Sequence, residues 1–219
     1  KAKFELVATL DSDSYLQKDA LKKIVSRFSS PDVGAVTSFV KVNNPRNFWE
    51  HLQRVEYLFA VFSRTLLSFI DSVNVTPGPL SVYRKPLIVR LGGFDETSIL
   101  EDQEIAFKIQ AADKRIVCAQ DAVVYTDVPK TFVALLKQRI RWNRGGWRNI
   151  INYRQLFSTH YGDFGVFVMP MAALSIFILF AVLAFGIYSI GLNGVGILFF
   201  YQYGFDSLLY GLSSVHFIS

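Results

Sequence analysis

The 219 residues carry 23 Lys and Arg against 18 Asp and Glu, a net charge of +5, and 51% of them are hydrophobic, ample for a buried core and greasier than an ordinary soluble domain. Every Lys and Arg lies at or before Arg154, and beyond it only Asp163 and Asp206 are charged, so a basic front part precedes an apolar tail and suits anionic lipid or an anionic substrate. One cysteine excludes a disulfide framework, no RNA- or DNA-binding motif occurs, and His51, His160 and His216 are too scattered for a zinc motif.

The near-continuous apolar run Phe4 to Leu10 predicts a buried strand of a parallel sheet, delivering Asp11-Ser12-Asp13-Ser14 at its carboxyl end. Leu21, Ile24, Val25 and Phe28 have the spacing of a helix that buries one face. Ala35 to Val42 predicts a second strand, ended by Asn43-Asn44-Pro45. Phe48 to Phe69 predicts a long aromatic helix that packs on a neighbour or lies at a membrane surface, because Glu50, Arg54, Glu56 and Arg64 interrupt it. Val73 to Tyr83 contains the backbone corner Thr76-Pro77-Gly78-Pro79, and Glu101 to Ala111 predicts a helix. Ile116 to Tyr125 predicts one or two strands with Cys118 as a buried reduced thiol. Thr131 to about Tyr153 predicts an amphipathic helix with a break at Gly145-Gly146.

From Phe164 to Ile190 no residue is charged, and a helix of about 20 residues crosses a hydrocarbon core of roughly 30 Å, so a membrane span is predicted. Pro170 sits near its start, and Trp147, Tyr153 and Tyr161 are expected at the interface. Leu192 to Tyr203 reads as a further span or a re-entrant piece. Arg139, Arg141, Arg144, Arg148 and Arg154 crowd the membrane entry, which places the front part on the cytoplasmic side of a multi-pass cell-membrane protein. The chain starts just before an apolar run and stops inside another, and is expected to be a piece of a longer protein.

Four stretches carry candidate chemistry. Asp11 and Asp13 at a strand end offer hard oxygen donors for Mg2+ or Mn2+, although Asp-x-Asp is also common turn chemistry. Glu101 and Asp102 open a helix whose dipole is expected to lower their pKa, and Asp102 suits a proton acceptor; first-turn carboxylates are also routine, and Asp95 and Glu96 compete from a turn-like loop. Gly78, Tyr83 and Arg84 read as the lining of an acceptor site, or as a turn glycine beside residues that face solvent. On a helix, Gln138, Arg141 and Trp142 fall at i, i+3 and i+4, so an amide, a guanidinium and an indole share one face that suits a phosphate and a sugar. In isolation the same run also reads as an ordinary amphipathic helix.

Taken in order, Asp11-x-Asp13, Gly78-Pro79 to Arg84, Gly93-Phe94-Asp95, Glu101-Asp102 and Gln138-x-x-Arg141-Trp142 before a membrane span resemble the membrane-bound family 2 glycosyltransferases, which include cellulose, hyaluronan, chitin and poly-N-acetylglucosamine synthases. The resemblance covers essentially Phe4 to the first span. It implies an α/β fold: residues 1–128 as the C-terminal part of a GT-A (Rossmann-like) catalytic domain, 129–160 as an interfacial helix region, and 161–219 as a transmembrane region. It also implies an inverting, metal-dependent, processive transfer from a nucleotide sugar, a UDP-sugar, to a β-linked polysaccharide at the membrane lipid. Asp13 would ligate Mg2+ or Mn2+, and Asp11 would help hold the diphosphate. Asp102 would deprotonate the acceptor beside Glu101, and Gln138, Arg141 and Trp142 would hold diphosphate and acceptor sugar. The sequence departs from the family at Leu100, where Thr is frequent, and lacks the first nucleotide-binding strands. Single transfer to a polyprenyl phosphate or other lipid, and a non-catalytic membrane subunit that binds nucleotide or polysaccharide, are the competing readings. A phosphohydrolase lacks a nucleophile motif or a His cluster.

Overall fold

The computed structural model describes residues 3–189. Along the chain run β1 (Leu6–Thr9), β2 (Ser14–Leu16), α1 (Ala20–Val25), β3 (Val33–Val42), α2 (Phe48–Phe69), β4 (Ser81–Arg84), α3 (Lys85–Arg90), α4 (Glu101–Ala111), β5 (Arg115–Thr126) and α5 (Phe132–Asn152). The helix α6 (Phe164–Ser189) follows, opening with a π-helical turn at Phe164–Val168. Lys1–Ala173 form one compact unit, and a second starts at Leu174. Leu192 to Tyr203, expected to be a second membrane segment, lies outside the described residues.

The strands form one sheet in the order β1-β4-β3-β5-β2, with β3 and β5 parallel and the remaining pairs antiparallel. At its centre, ten-residue β3 is buried along nearly its whole length, including the valines at 33, 36, 40 and 42. β-branched side chains stiff at χ1 fit such a two-sided position. β5 is a single strand, and its register against β3 jumps from Ala119 opposite Ser38 to Val123 opposite Phe39. Residues 120–122 therefore lie outside the pairing, which lets one strand cover what reads as two.

One core cluster packs α1 on the sheet through Ala20 and Ile24 against Val36, Leu80, Val82 and Val124. The other packs α3 and α4 on its opposite face, through Leu87, Ile88, Ile105 and Ile109 against Ala35, Tyr83 and Ile116. Each fully buried aliphatic side chain of this kind contributes roughly 1.5–3 kcal/mol.

Several expectations are corrected here. β1 is an edge strand paired antiparallel with β4, with Ala8 exposed, rather than a buried parallel strand. An unbroken apolar run does not specify how many neighbours a strand has. Of the α1 stripe only Ile24 is fully buried, while Leu21 and Val25 are exposed, because the helix meets the sheet through Ala20 and Ile24 instead. β2 and α3 were not anticipated. α5 runs unbroken through Gly145 and Gly146.

α2 is amphipathic with its faces reversed. Phe48, Leu52, Val55, Phe59, Phe62, Leu66 and Phe69, spaced alternately by four and three, are all exposed, whereas Glu50, Gln53 and Arg64 are buried. A capping box fixes its start: the Asn47 side chain accepts from the Glu50 backbone N–H, and the Glu50 carboxylate accepts from the Asn47 N–H. The Gln53 amide then donates to the Trp49 and Pro129 carbonyls, holding α2 against the segment that leads into α5.

Candidate active site

The carboxyl ends of β1 and β5, the inner face of α2, the Val73–Leu80 loop, the start of α4 and one face of α5 enclose a cleft of about 700 Å³. Asp11, Asp13, Gly78, Glu101, Asp102, Gln138, Arg141 and Trp142 all line it. Four stretches, distributed along the chain from Asp11 to Trp142, thus open onto one space.

Asp11 follows β1. Its N–H donates to the Gly78 carbonyl at 3.2 Å, and its carboxylate lies so close to Gly78 that a Cβ there would be 2.6 Å from Asp11 Oδ1. The glycine admits the carboxylate to the loop. Desolvation raises the Asp11 pKa, the charges of Asp13 and Glu101 raise it further, and Arg141 opposes them. Asp13 accepts from the hydroxyls of Ser14 and Thr126, each at 3.4 Å, with Thr126 at the end of β5.

Among the described residues no three His, Cys, Asp or Glu side chains come together to cage a metal. Asp11 and Asp13 supply two hard oxygen ligands beside an excess of negative charge. This donor set fits a Mg2+ or Mn2+ ion completed by substrate phosphate and water.

Asp102 occupies the first turn of α4, with one carboxylate oxygen accepting from the Gln103 N–H at 2.7 Å. Its pKa is raised from the ordinary 3.8 to about 6, by desolvation first and then by the charges of Glu101 and Asp11. The expected lowering by the helix terminus is overturned, because burial among like charges outweighs one backbone hydrogen bond. A carboxylate tuned to this range is a better proton acceptor near neutrality than one at 3.8.

Tyr83 and Arg84 do not line the cleft. The Tyr83 hydroxyl, buried and with its pKa pushed up to about 12, donates to Thr76 Oγ1 at 3.0 Å. Thr76 in turn donates to the Asp102 carbonyl through its hydroxyl at 2.7 Å and its N–H at 3.1 Å. Tyr83 therefore anchors the backbone of Asp102 from behind. Arg84, on the opposite face of β4, binds the Val33 and Ser30 carbonyls, each at 2.9 Å, and the Glu5 carboxylate at 2.8 Å. Strand alternation forces the two apart. Asp95 accepts from the Thr97 N–H and hydroxyl at 2.8 Å, a turn contact.

Along α5, Trp142, Gly145, Gly146, Asn149 and Tyr153 form one stripe. The Asn149 amide, 2% exposed, donates to the Leu100 carbonyl at 3.0 Å and to Gln103 Oε1 at 3.2 Å. The Tyr153 hydroxyl donates to the buried Glu104 carboxylate, so this tyrosine points into the protein rather than to an interface. Arg139 pairs with Glu56 of α2, donates to Gln138 Oε1 at 2.8 Å, and lies 4.3 Å from the Trp142 ring centre. The cation on the ring face orients the indole.

The sequence reading missed Glu56, Tyr57, Arg64, Asn74 and Arg139, which also line the cleft. For Tyr57 and Arg64, seven apart on α2, the recurrence of polar residues on one helix face was the available signal.

A mixed α/β sheet with paired carboxylates at a strand end, facing an Arg- and Trp-bearing helix across a cleft, is the layout of a GT-A glycosyltransferase domain. Residues 6–200 match the family described as glycosyl transferase family group 2, and the chain belongs to that family. It is 30% identical over 162 residues to the poly-beta-1,6-N-acetyl-D-glucosamine synthase of Staphylococcus aureus strain COL, and 28% identical to that of Staphylococcus epidermidis. Each match covers 73% of this chain and 39% of the relative, so the chain spans about two fifths of those proteins. The solved mannosyltransferase PcManGT of Pyrobaculum calidifontis, in complex with GDP-Man and Mn2+, shares the fold. Its TM-score is 0.55 at 22% identity, over 91% of this chain and 56% of that one.

Proposed function

We propose that this chain is part of an inverting, metal-dependent, processive glycosyltransferase that adds sugars from a UDP-sugar to a β-linked polysaccharide at the cytoplasmic face of the cell membrane. The observation that carries the reading is the convergence of Asp11 and Asp13, Asp102, and Gln138, Arg141 and Trp142 on one cleft.

Asp11 and Arg141 orient the diphosphate, and Trp142 offers the acceptor sugar a flat apolar face beside Gln138. The acceptor hydroxyl oxygen attacks the anomeric carbon as the bond from that carbon to the diphosphate oxygen breaks. The hydroxyl proton passes to Asp102, and the nucleoside diphosphate departs. One displacement of this kind inverts the anomeric centre, and holding both sugars in line supplies much of the rate. Asp13, with Asp11 beside it, would hold Mg2+ or Mn2+, which when bound neutralises charge on the departing diphosphate. The GDP-Man and Mn2+ of the structural neighbour support a nucleotide-sugar donor and a divalent metal, and the named relatives support a polysaccharide of N-acetylglucosamine.

Two features support membrane lipid as a partner. α6 has 26 residues without a charge, and α2 and α5 expose apolar stripes, in α5 through Phe132, Leu136, Ile140, Trp147 and Ile151. Helices of this kind lie at a bilayer surface.

The test is product sizing with the full-length protein in lipid vesicles supplied with UDP-N-acetylglucosamine. A ladder or high polymer is expected, abolished by EDTA and restored by Mn2+ or Mg2+. Addition of one sugar to a lipid would contradict the processive reading.

A further inference from the structure

The mechanism above leaves the cleft cation Arg64 unused. Arg64 is 9% exposed and lines the cleft from the inner face of α2. Among the described residues its guanidinium makes no hydrogen bond or ion pair; only its backbone carbonyl is engaged, accepting from the Cys118 thiol at 3.4 Å. Its donors, a rigid planar fork, line the cleft without a protein acceptor, so a ligand seated there can complete them.

Of the three arginines that line the cleft, Arg139 is paired with Glu56, which leaves Arg64 and Arg141. Arg141 acts on Asp11, at the end where the diphosphate belongs. At Arg64 burial acts first, opposed by the charges of Cys118, Tyr57 and Asp102 in that order. Arg64 and Asp102 line the same cleft, where a sugar would sit, and an oxygen-rich hexose supplies the acceptors that the guanidinium lacks.

We propose that Arg64 is a sugar-binding residue: its guanidinium donates hydrogen bonds to hydroxyl or acyl oxygens of the hexose unit seated beside Asp102. The inference rests on the glycosyltransferase reading. The oxygens belong either to the sugar of the donor or to the terminal sugar of the acceptor, and binding assays separate the two. α2 carries the group because its polar side turns inward, and Tyr57, two turns earlier, continues the same wall of the cleft.

The experiment compares full-length wild type with Arg64→Met in three binding titrations: UDP, UDP-N-acetylglucosamine and a short β-1,6-linked N-acetylglucosamine oligomer, each with Mn2+. Thermal unfolding is followed alongside. Affinity for UDP is expected to hold, and affinity for either the sugar nucleotide or the oligomer to fall roughly tenfold or more, as for lost charged hydrogen bonds. Tm is expected to stay level or rise, because an unpaired buried cation is removed. Arg64→Lys, which keeps the charge without the fork, repeats the titrations in a variant certain to retain a cation, and is expected to recover only part of the affinity.

Equal affinity of wild type and Arg64→Met for all three ligands would overturn the proposal, as would a parallel loss of UDP binding, which would move Arg64 to the diphosphate. A folding defect in Arg64→Met together with full sugar affinity in Arg64→Lys would make the residue structural and overturn it too. If wild type itself neither binds nor transfers the sugar nucleotide, the glycosyltransferase reading fails rather than the assignment of Arg64.

Discussion

Gly145 of α5 lies so close to Leu100 that a Cβ on the glycine would be 2.7 Å from the Leu100 Cβ. The close approach joins the helix that carries Gln138, Arg141 and Trp142 to the first turn of the helix that carries Asp102, and the Asn149 amide locks the same contact.

Gly145→Ala is therefore expected to destabilise the protein by about 1–3 kcal/mol, since neither Leu100 nor its backbone can move aside without shifting Asp102. Chemical denaturation measures the loss. Transfer activity should fall about tenfold or more at saturating donor, because small displacements of positioned groups are costly.

Gly78→Ala separates position from stability. The Cβ it adds would meet the Asp11 carboxylate at 2.6 Å, and that carboxylate is the free end of a side chain. Unfolding should change by less than about 1 kcal/mol, whereas UDP affinity in the presence of Mn2+ should fall several-fold, measured by titration calorimetry.

Much of this arrangement was legible from residue spacing. The i, i+3, i+4 set on α5 and the Asp-x-Asp after an apolar run both reach the cleft, because local periodicity decides which way a side chain points within one element. What spacing does not carry is which face of an element turns inward. In α2 the buried side holds Glu50, Gln53 and Arg64, the reverse of the usual pattern, so hydrophobicity alone hides the residues that face the site. Tyr83 and Arg84 fail as lining for a related reason: neighbours on a strand point to opposite faces, and neither face of β4 opens to the cleft. The helix-end argument for Asp102 gave the wrong sign because it omitted burial and the charges of Glu101 and Asp11, which arrive from tertiary packing.

The raised pKa of Asp102 fixes a pH dependence. In the proposed mechanism Asp102 accepts the proton and must be ionised, so kcat/KM should rise with pH through about 6 and level off above it, in rate profiles taken at constant ionic strength. The folded value exceeds the ordinary 3.8, so ionised Asp102 opposes folding. That cost is fully present above about 6 and is gone below 3.8. Asp102→Asn should accordingly raise Tm at pH 8, with the gain vanishing by about pH 4.

The most direct measurement is sugar transfer by full-length Asp102→Asn alongside its UDP affinity. Loss of transfer by about three orders of magnitude or more is expected, with UDP binding within about twofold of wild type, because the amide keeps the shape of the carboxylate but accepts no proton. Undiminished transfer by Asp102→Asn would contradict the account at its centre.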